Sequence, residues 1–209
     1  MGKGSDVTSL LVKAGIRLDL GCGEAKQPGF VGIDRRELPG VDIVHDLEEF
    51  PWPLPDDCCT IIIGSHIVEH IKPWLTVDFL NECWRVARPG CQLAFVHPYG
   101  VNSQFVQDPT HCNPCNEATW QYFDPRYPLW LIYFPKPWKL MKGFPVWQEN
   151  GLMEVVYTKL AMDEAHKILT EERLYDEAEP LTKYLKEHGL VDNMKKPEEE
   201  KKGKSHGRR

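Results

Sequence analysis

The chain has 209 residues, 42% of them hydrophobic, enough for one sizeable core with decorations. Its formal net charge of −6 excludes a general electrostatic pull toward nucleic acid, and no signal peptide or apolar run long enough to span a membrane is visible. Seven cysteines, an odd number spread through predicted strands and helices, point to a reducing compartment, the cytoplasm, rather than to a disulfide scaffold.

The first predicted strand is the apolar run ending in Asp19-Leu20-Gly21-Cys22-Gly23, and a second, Phe30-Val31-Gly32-Ile33-Asp34, ends in a carboxylate. Neighbouring strands framing a glycine turn make a nucleoside-binding edge. Glycines take positive φ and let a ligand approach without a Cβ in the way. A carboxylate at the end of the next strand accepts from both hydroxyls of a ribose. A third segment, Val41 to Asp46, again ends in an acid and is followed by Leu47 and the turn-rich stretch Pro51 to Asp57. A fourth run, Cys58 to Gly64, leads into Ser65-His66-Ile67-Val68-Glu69-His70-Ile71, and Arg88-Pro89-Gly90 precedes a fifth, Cys91 to His97. Continuous apolar strands without strict alternation predict a parallel sheet buried on both faces.

In this order the motifs resemble the class I S-adenosylmethionine-dependent methyltransferases, particularly the small subgroup labelled methyltransferase type 11, over roughly residues 15 to 100. The resemblance implies a Rossmann-like α/β fold with a mostly parallel twisted sheet, and S-adenosyl-L-methionine as cofactor, released as S-adenosyl-L-homocysteine. It implies that Asp19, Gly21, Cys22 and Gly23 wrap the methionine part and that Asp34 holds the ribose. Asp46 and the backbone N–H of Leu47 would bind the adenine, and Ser65 and His66 would line the cofactor near its sulfonium. One departure is the first crossover: Glu24 to Gly29 is too short for a helix between parallel strands. The same shortness, with no third glycine, argues against a dinucleotide site.

Two constellations support a rival, metal-based reading. His66-Ile67-Val68-Glu69-His70 matches HxxEH, in which two histidines on one helical face bind zinc beside a glutamate base, with Glu164, Glu171 or Glu172 available as third ligand. His111-Cys112-Asn113-Pro114-Cys115 is half of a zinc site by spacing. The surrounding strands favour the methyltransferase reading over a zinc hydrolase, and no metal ligand is assigned. A non-catalytic S-adenosylmethionine-binding module is the remaining alternative.

From Pro98 to Gly151 the chain turns rich in Pro, Asn and aromatic residues, which predicts an insertion after strand five. It reads either as an acceptor-binding cap over the strand ends or as a satellite core. Within it, Asp108 and His111 form a candidate acid/base pair, Asp108 orienting the imidazole and favouring its charged form. His97, at the end of strand five, is the other catalytic candidate. Arg126, Lys136, Lys139 and Lys142 accompany the rings, thin support for nucleic acid. A small-molecule or sugar-like acceptor fits the acidic chain better.

Leu152 to Leu160 reads as a late strand, the antiparallel seventh of this fold. Met162 to Leu190 has helical spacing, broken near Pro180 and stopped near Gly189, with Ile168, Leu174, Leu181 and Leu185 packing on the sheet or forming a dimer contact. The expected organisation is a methyltransferase-like domain over 1–162 with the aromatic cap at 98–151, a helical segment over 163–192 and a disordered tail over 193–209. The protein is expected to be a monomer or homodimer that does not engage a membrane.

Overall fold

Five parallel strands form one part of the sheet: β1 (Ile16–Leu20), β2 (Val31–Asp34), β3 (Ile43–Val44), β4 (Cys59–Ser65) and β5 (Ala87–Pro98). They lie in the order β3-β2-β1-β4-β5 in the computed structural model, which describes residues 15–171. The sheet continues through β6 (Trp138–Leu140), β7 (Val146–Trp147) and β8 (Leu152–Lys159). β8 runs antiparallel between β5 and β6, and β7 also pairs with β8. The late strand is therefore antiparallel, as the resemblance implies, although it is the eighth in chain order rather than the seventh. Leu18, Leu20, Ile33, Ile62 and Leu93 are fully buried, as strands covered on both faces require.

The link between β1 and β2 contains no helix. Gln27 donates its backbone N–H to Asp19 Oδ2 at 2.9 Å, folding the link back along β1. Gly32 makes room for it: a Cβ there would meet Cys22 Sγ at 2.5 Å and Lys26 Cδ at 2.6 Å. The link thus packs directly on β2, where a longer crossover would place a helix.

Helix α1 (Thr76–Val86) forms because Phe79, Leu80, Cys83 and Val86 recur at helical spacing and are all buried, and Pro73 opens the short 3₁₀ turn that leads into it. It stops at Ala87, whose backbone is extended. The Arg88-Pro89-Gly90 turn lies inside β5 as a bulge, Gly90 taking φ +77°, so the strand begins earlier than its apolar run.

The aromatic segment departs most from expectation. It holds α2 (Ser103–Val106), α3 (Glu117–Gln121) and α4 (Trp130–Tyr133), and also β6, an integral strand of the sheet. Trp120, Phe123 and Trp138 belong to the main hydrophobic core with Phe95 and Tyr157. Trp120 stacks on Phe95 at 5.9 Å between centroids, and Trp138 donates its indole N–H to Leu80 O at 3.3 Å. These rings finish the sheet's own core rather than forming a separate satellite.

Helix α5 (Met162–Glu171) begins where the spacing predicts, with Ala165 and Leu169 buried and Ile168 half-buried. Leu174, Leu181, Leu185, the break at Pro180, the stop at Gly189 and the 193–209 tail lie outside the described residues. Among the described residues all seven cysteines are free, and no helix is long and apolar enough to cross a membrane.

Candidate cofactor and acceptor site

The glycine turn after β1 is built as its composition requires. Gly21 and Gly23 take φ of +64° and +52°, and a Cβ on Gly21 would meet Ile67 Cδ1 at 2.7 Å. Beside this turn opens a cavity of about 450 Å³, lined among the described residues by Gly21, Asp34, Arg35, Arg36, Asp46, Leu47, Glu48, His66, Ile67, His70, Ile71 and Thr110. Gly21, Asp34, Asp46, Leu47 and His66 thus converge on one space from four strand ends. Asp19, Cys22, Gly23 and Ser65 do not line it.

Those four act from behind the wall or at its margin. Asp19 holds the link through Gln27, and burial raises its carboxyl above the usual range. Burial, with the charges of Asp19 and Asp34, also raises the Cys22 thiol. Gly23 donates its backbone N–H to Asp34 Oδ2 at 2.9 Å. Ser65, at the end of β4, is exposed.

Asp34 is buried, and its Oδ1 accepts from the Arg36 N–H at 2.9 Å and Arg36 Nε at 3.2 Å. Burial pulls its carboxyl upward, but the Arg36 side chain, the Arg36 backbone and Gly23 together outweigh it and hold the pKa below the ordinary 3.8. The carboxylate is therefore charged and ready to accept. Asp46 Oδ1 accepts the Glu48 N–H at 2.9 Å, and Leu47 is buried with its carbonyl accepting from Trp52 Nε1 at 3.2 Å. Arg35 and Arg36 went unread in the sequence, although two arginines directly after a strand-end aspartate are a visible signal.

His97 stands apart from the cavity. It is buried, its Nδ1–H donates to Pro98 O at 2.8 Å, and its Nε2 accepts from Trp120 Nε1 at 3.2 Å. Burial drives its pKa down to about 4. A neutral imidazole with both nitrogens engaged has no lone pair for an acceptor, so the expected acceptor-side role at strand five does not fit this geometry.

The HxxEH segment is not a helix with two histidines on one face. His66 has φ +54° and precedes a single 3₁₀ turn, Val68–His70, which removes the geometry of the zinc-hydrolase reading. Its Nδ1 instead pairs with Glu69 Oε1 at 3.0 Å. Backbone bonds draw the Asp108–Asn113 loop onto this turn: Cys112 N and Asn113 N donate to Glu69 O at 2.9 and 3.1 Å. His70 and His111 consequently sit edge to face, 4.7 Å between ring centroids. Asp108 Oδ2 is 3.8 Å from His111 Nε2, beyond hydrogen-bond reach, and Asp108 Oδ1 is taken by the Thr110 hydroxyl and N–H. Cys115 is buried with its thiol pushed up to about 12, and Cys112 is exposed; neither joins a three-ligand group among the described residues.

No protein-family model matches the chain. A stretch amounting to 35% of it is 33% identical to a Mycolicibacterium smegmatis protein described as a probable S-adenosylmethionine-dependent methyltransferase. The match spans 34% of that relative, about a third of its length. Among solved structures, a SAM-dependent methyltransferase from Archaeoglobus fulgidus superposes with a TM-score of 0.51 at 17% identity, covering 74% of this chain and 94% of the other. A protein from Pyrococcus horikoshii gives 0.50 at 16% identity, covering 75% and 89%. At these identities the structural likeness speaks for the fold.

Proposed function

We propose that this chain, which has the class I methyltransferase fold, is an S-adenosylmethionine-dependent methyltransferase acting on a small-molecule or sugar-like acceptor. The observation that carries the reading is the convergence of Gly21, Asp34, Asp46 and Leu47 on one cavity. A side chain at position 21 would fill the cradle between the turn and Ile67. The charged Asp34 suits a diol, and Asp46 beside the Leu47 backbone suits an amino-purine edge. The bound cofactor supplies an electrophilic methyl on sulfur, transferred by direct displacement.

The protein's own part is alignment and exclusion of water. Ile67 and His66 form the wall beyond Gly21, and Thr110 brings the aromatic segment to the same rim. The acceptor approaches from the Thr110 side, and the aromatic segment acts there through its Asp108–His111 loop. His97, fully bonded, takes no proton.

The test is calorimetric titration with S-adenosylhomocysteine, comparing wild type with Asp34→Ala. Micromolar binding abolished by the substitution supports the reading and opens an acceptor screen with labelled methyl donor. A folded wild type that fails to bind removes it.

A further inference from the structure

We propose that Glu69, His70 and His111 form a binding site for a divalent transition-metal ion such as Zn²⁺ at the wall of the cavity. One ligand atom from each of the three lies within 4.8 Å of the other two. Ligands around an ion at about 2.0–2.2 Å stand roughly 3–4 Å apart, so closure needs a shift of about an ångström.

The hydrogen bonds set both imidazoles in a ligating form. The His111 Nδ1–H donates to Phe105 O at 2.9 Å, which leaves Nε2 with its lone pair. The Thr110 hydroxyl spends its hydrogen on Asp108 Oδ1 at 2.7 Å, so toward His70 Nδ1, 3.2 Å away, it accepts. His70 Nδ1 is then the protonated nitrogen and Nε2 the free one. Outer partners that fix the tautomer in this way are the usual support of metal-bound histidines.

Glu69 supplies the independent observation. It is fully buried; Oε1 bonds to His66, while Oε2 has no hydrogen-bond partner among the described residues. A buried carboxylate oxygen without a partner is costly, and a cation beside His70 and His111 would satisfy it. Asp108, next to His111, adds negative charge. Two imidazoles and one carboxylate suit zinc, cobalt or iron rather than magnesium or calcium, which favour all-oxygen sites.

The loop is stitched to the turn by Cys112 N, by Asn113 N and by Asn113 Nδ2, which donates to Val68 O at 3.2 Å, so the ligands are held before any ion arrives. His70 lines the cavity, which gives a bound ion access to it. An acceptor oxygen would take one of the ion's open positions. That last step rests on the proposed methyl transfer, whereas the ion site does not.

The experiment uses the full chain, stripped with chelator and titrated with Co²⁺ under visible absorption, for wild type, His111→Ala and His70→Ala. S-adenosylhomocysteine binding and circular dichroism are recorded on the same samples. One equivalent of Co²⁺ with d–d bands, weakened about 100-fold or more in both folded variants, supports the site whether or not the nucleoside binds. Equal Co²⁺ binding by all three proteins, or none by folded wild type, overturns it, again irrespective of the nucleoside.

Discussion

Gly23 and Asp34 are joined by one hydrogen bond, backbone N–H to Oδ2 at 2.9 Å, which closes the glycine turn onto the end of β2. The same carboxylate also accepts from Arg36, so the residue proposed to hold the ribose also shapes the turn beside the cavity.

Asp34→Asn is therefore expected to weaken S-adenosylhomocysteine binding by at least about 100-fold, the loss of about two charge-assisted hydrogen bonds. The acid side follows from linkage. A carboxyl whose folded pKa lies below the unfolded 3.8 contributes stability that is complete above 3.8 and lost as pH falls through the folded value. Wild type should lose stability below about pH 4 more steeply than Asp34→Asn. Urea melts between pH 3 and 7 measure this, and parallel curves would refute it.

Gly21 meets two separate restrictions, a left-handed φ and the side chain of Ile67. Gly21→Ala should cost about 1–3 kcal/mol and abolish cofactor binding. Adding Ile67→Ala removes the steric clash but not the backbone strain, so the double variant should recover only part of the melting temperature that Gly21→Ala loses. Full recovery would show that φ was not limiting.

His97 and Trp120 act as a structural pair. Trp120→Phe removes the donor to His97 Nε2 and should cost about 1–3 kcal/mol through that unpaired nitrogen. A histidine whose folded pKa is lowered to about 4 from 6.5 loses stability as pH falls from the upper value toward the lower. His97→Phe should flatten the stability profile between those values while leaving the affinity for S-adenosylhomocysteine within about threefold, since the ring lies outside the cavity. Melts at pH 4.5 and 7 with titrations at pH 7 decide it. A large loss of affinity in a well-folded His97→Phe would return the residue to the site.

The convergence of the strand ends was legible because it is local: Gly21, Asp34, Asp46 and Leu47, which line one cavity, each stand within a few residues of a strand. The other half of the site was not. Thr110 and His111 reach His70 through bonds from Cys112 and Asn113 to Glu69, a contact between segments some forty residues apart that no periodicity encodes. β6 was hidden for a related reason. Trp138-Lys139-Leu140 is a short strand within a proline- and aromatic-rich stretch, and its identity comes from pairing with Tyr157, Thr158 and Lys159. His97 was read as reactive from its place at a strand end, whereas its partner Trp120 lies on α3, beyond the reach of local pattern.

The loop presenting Asp46 and Leu47 is braced from α1. Glu82 Oε1 accepts the Trp52 N–H at 2.6 Å and binds Arg85, whose guanidinium also donates to Leu54 O at 2.9 Å and to Asp56. Trp52 in turn donates its indole N–H to Leu47 O. Arg85→Met keeps the aliphatic stem but leaves the mostly buried Glu82 carboxylate without its cation. The expected cost is about 2–4 kcal/mol, discounted from a fully buried pair because Arg85 is partly exposed. The disturbance reaches the cavity through Trp52, so affinity for S-adenosylhomocysteine should fall about three- to tenfold at a temperature where the variant is folded, a smaller effect than at Asp34. Arg85→Met with Glu82→Leu removes the uncompensated charge and should regain part of the stability without regaining affinity, because Trp52 N then loses its Glu82 acceptor. Recovery of both would mean that the brace acts on the fold alone.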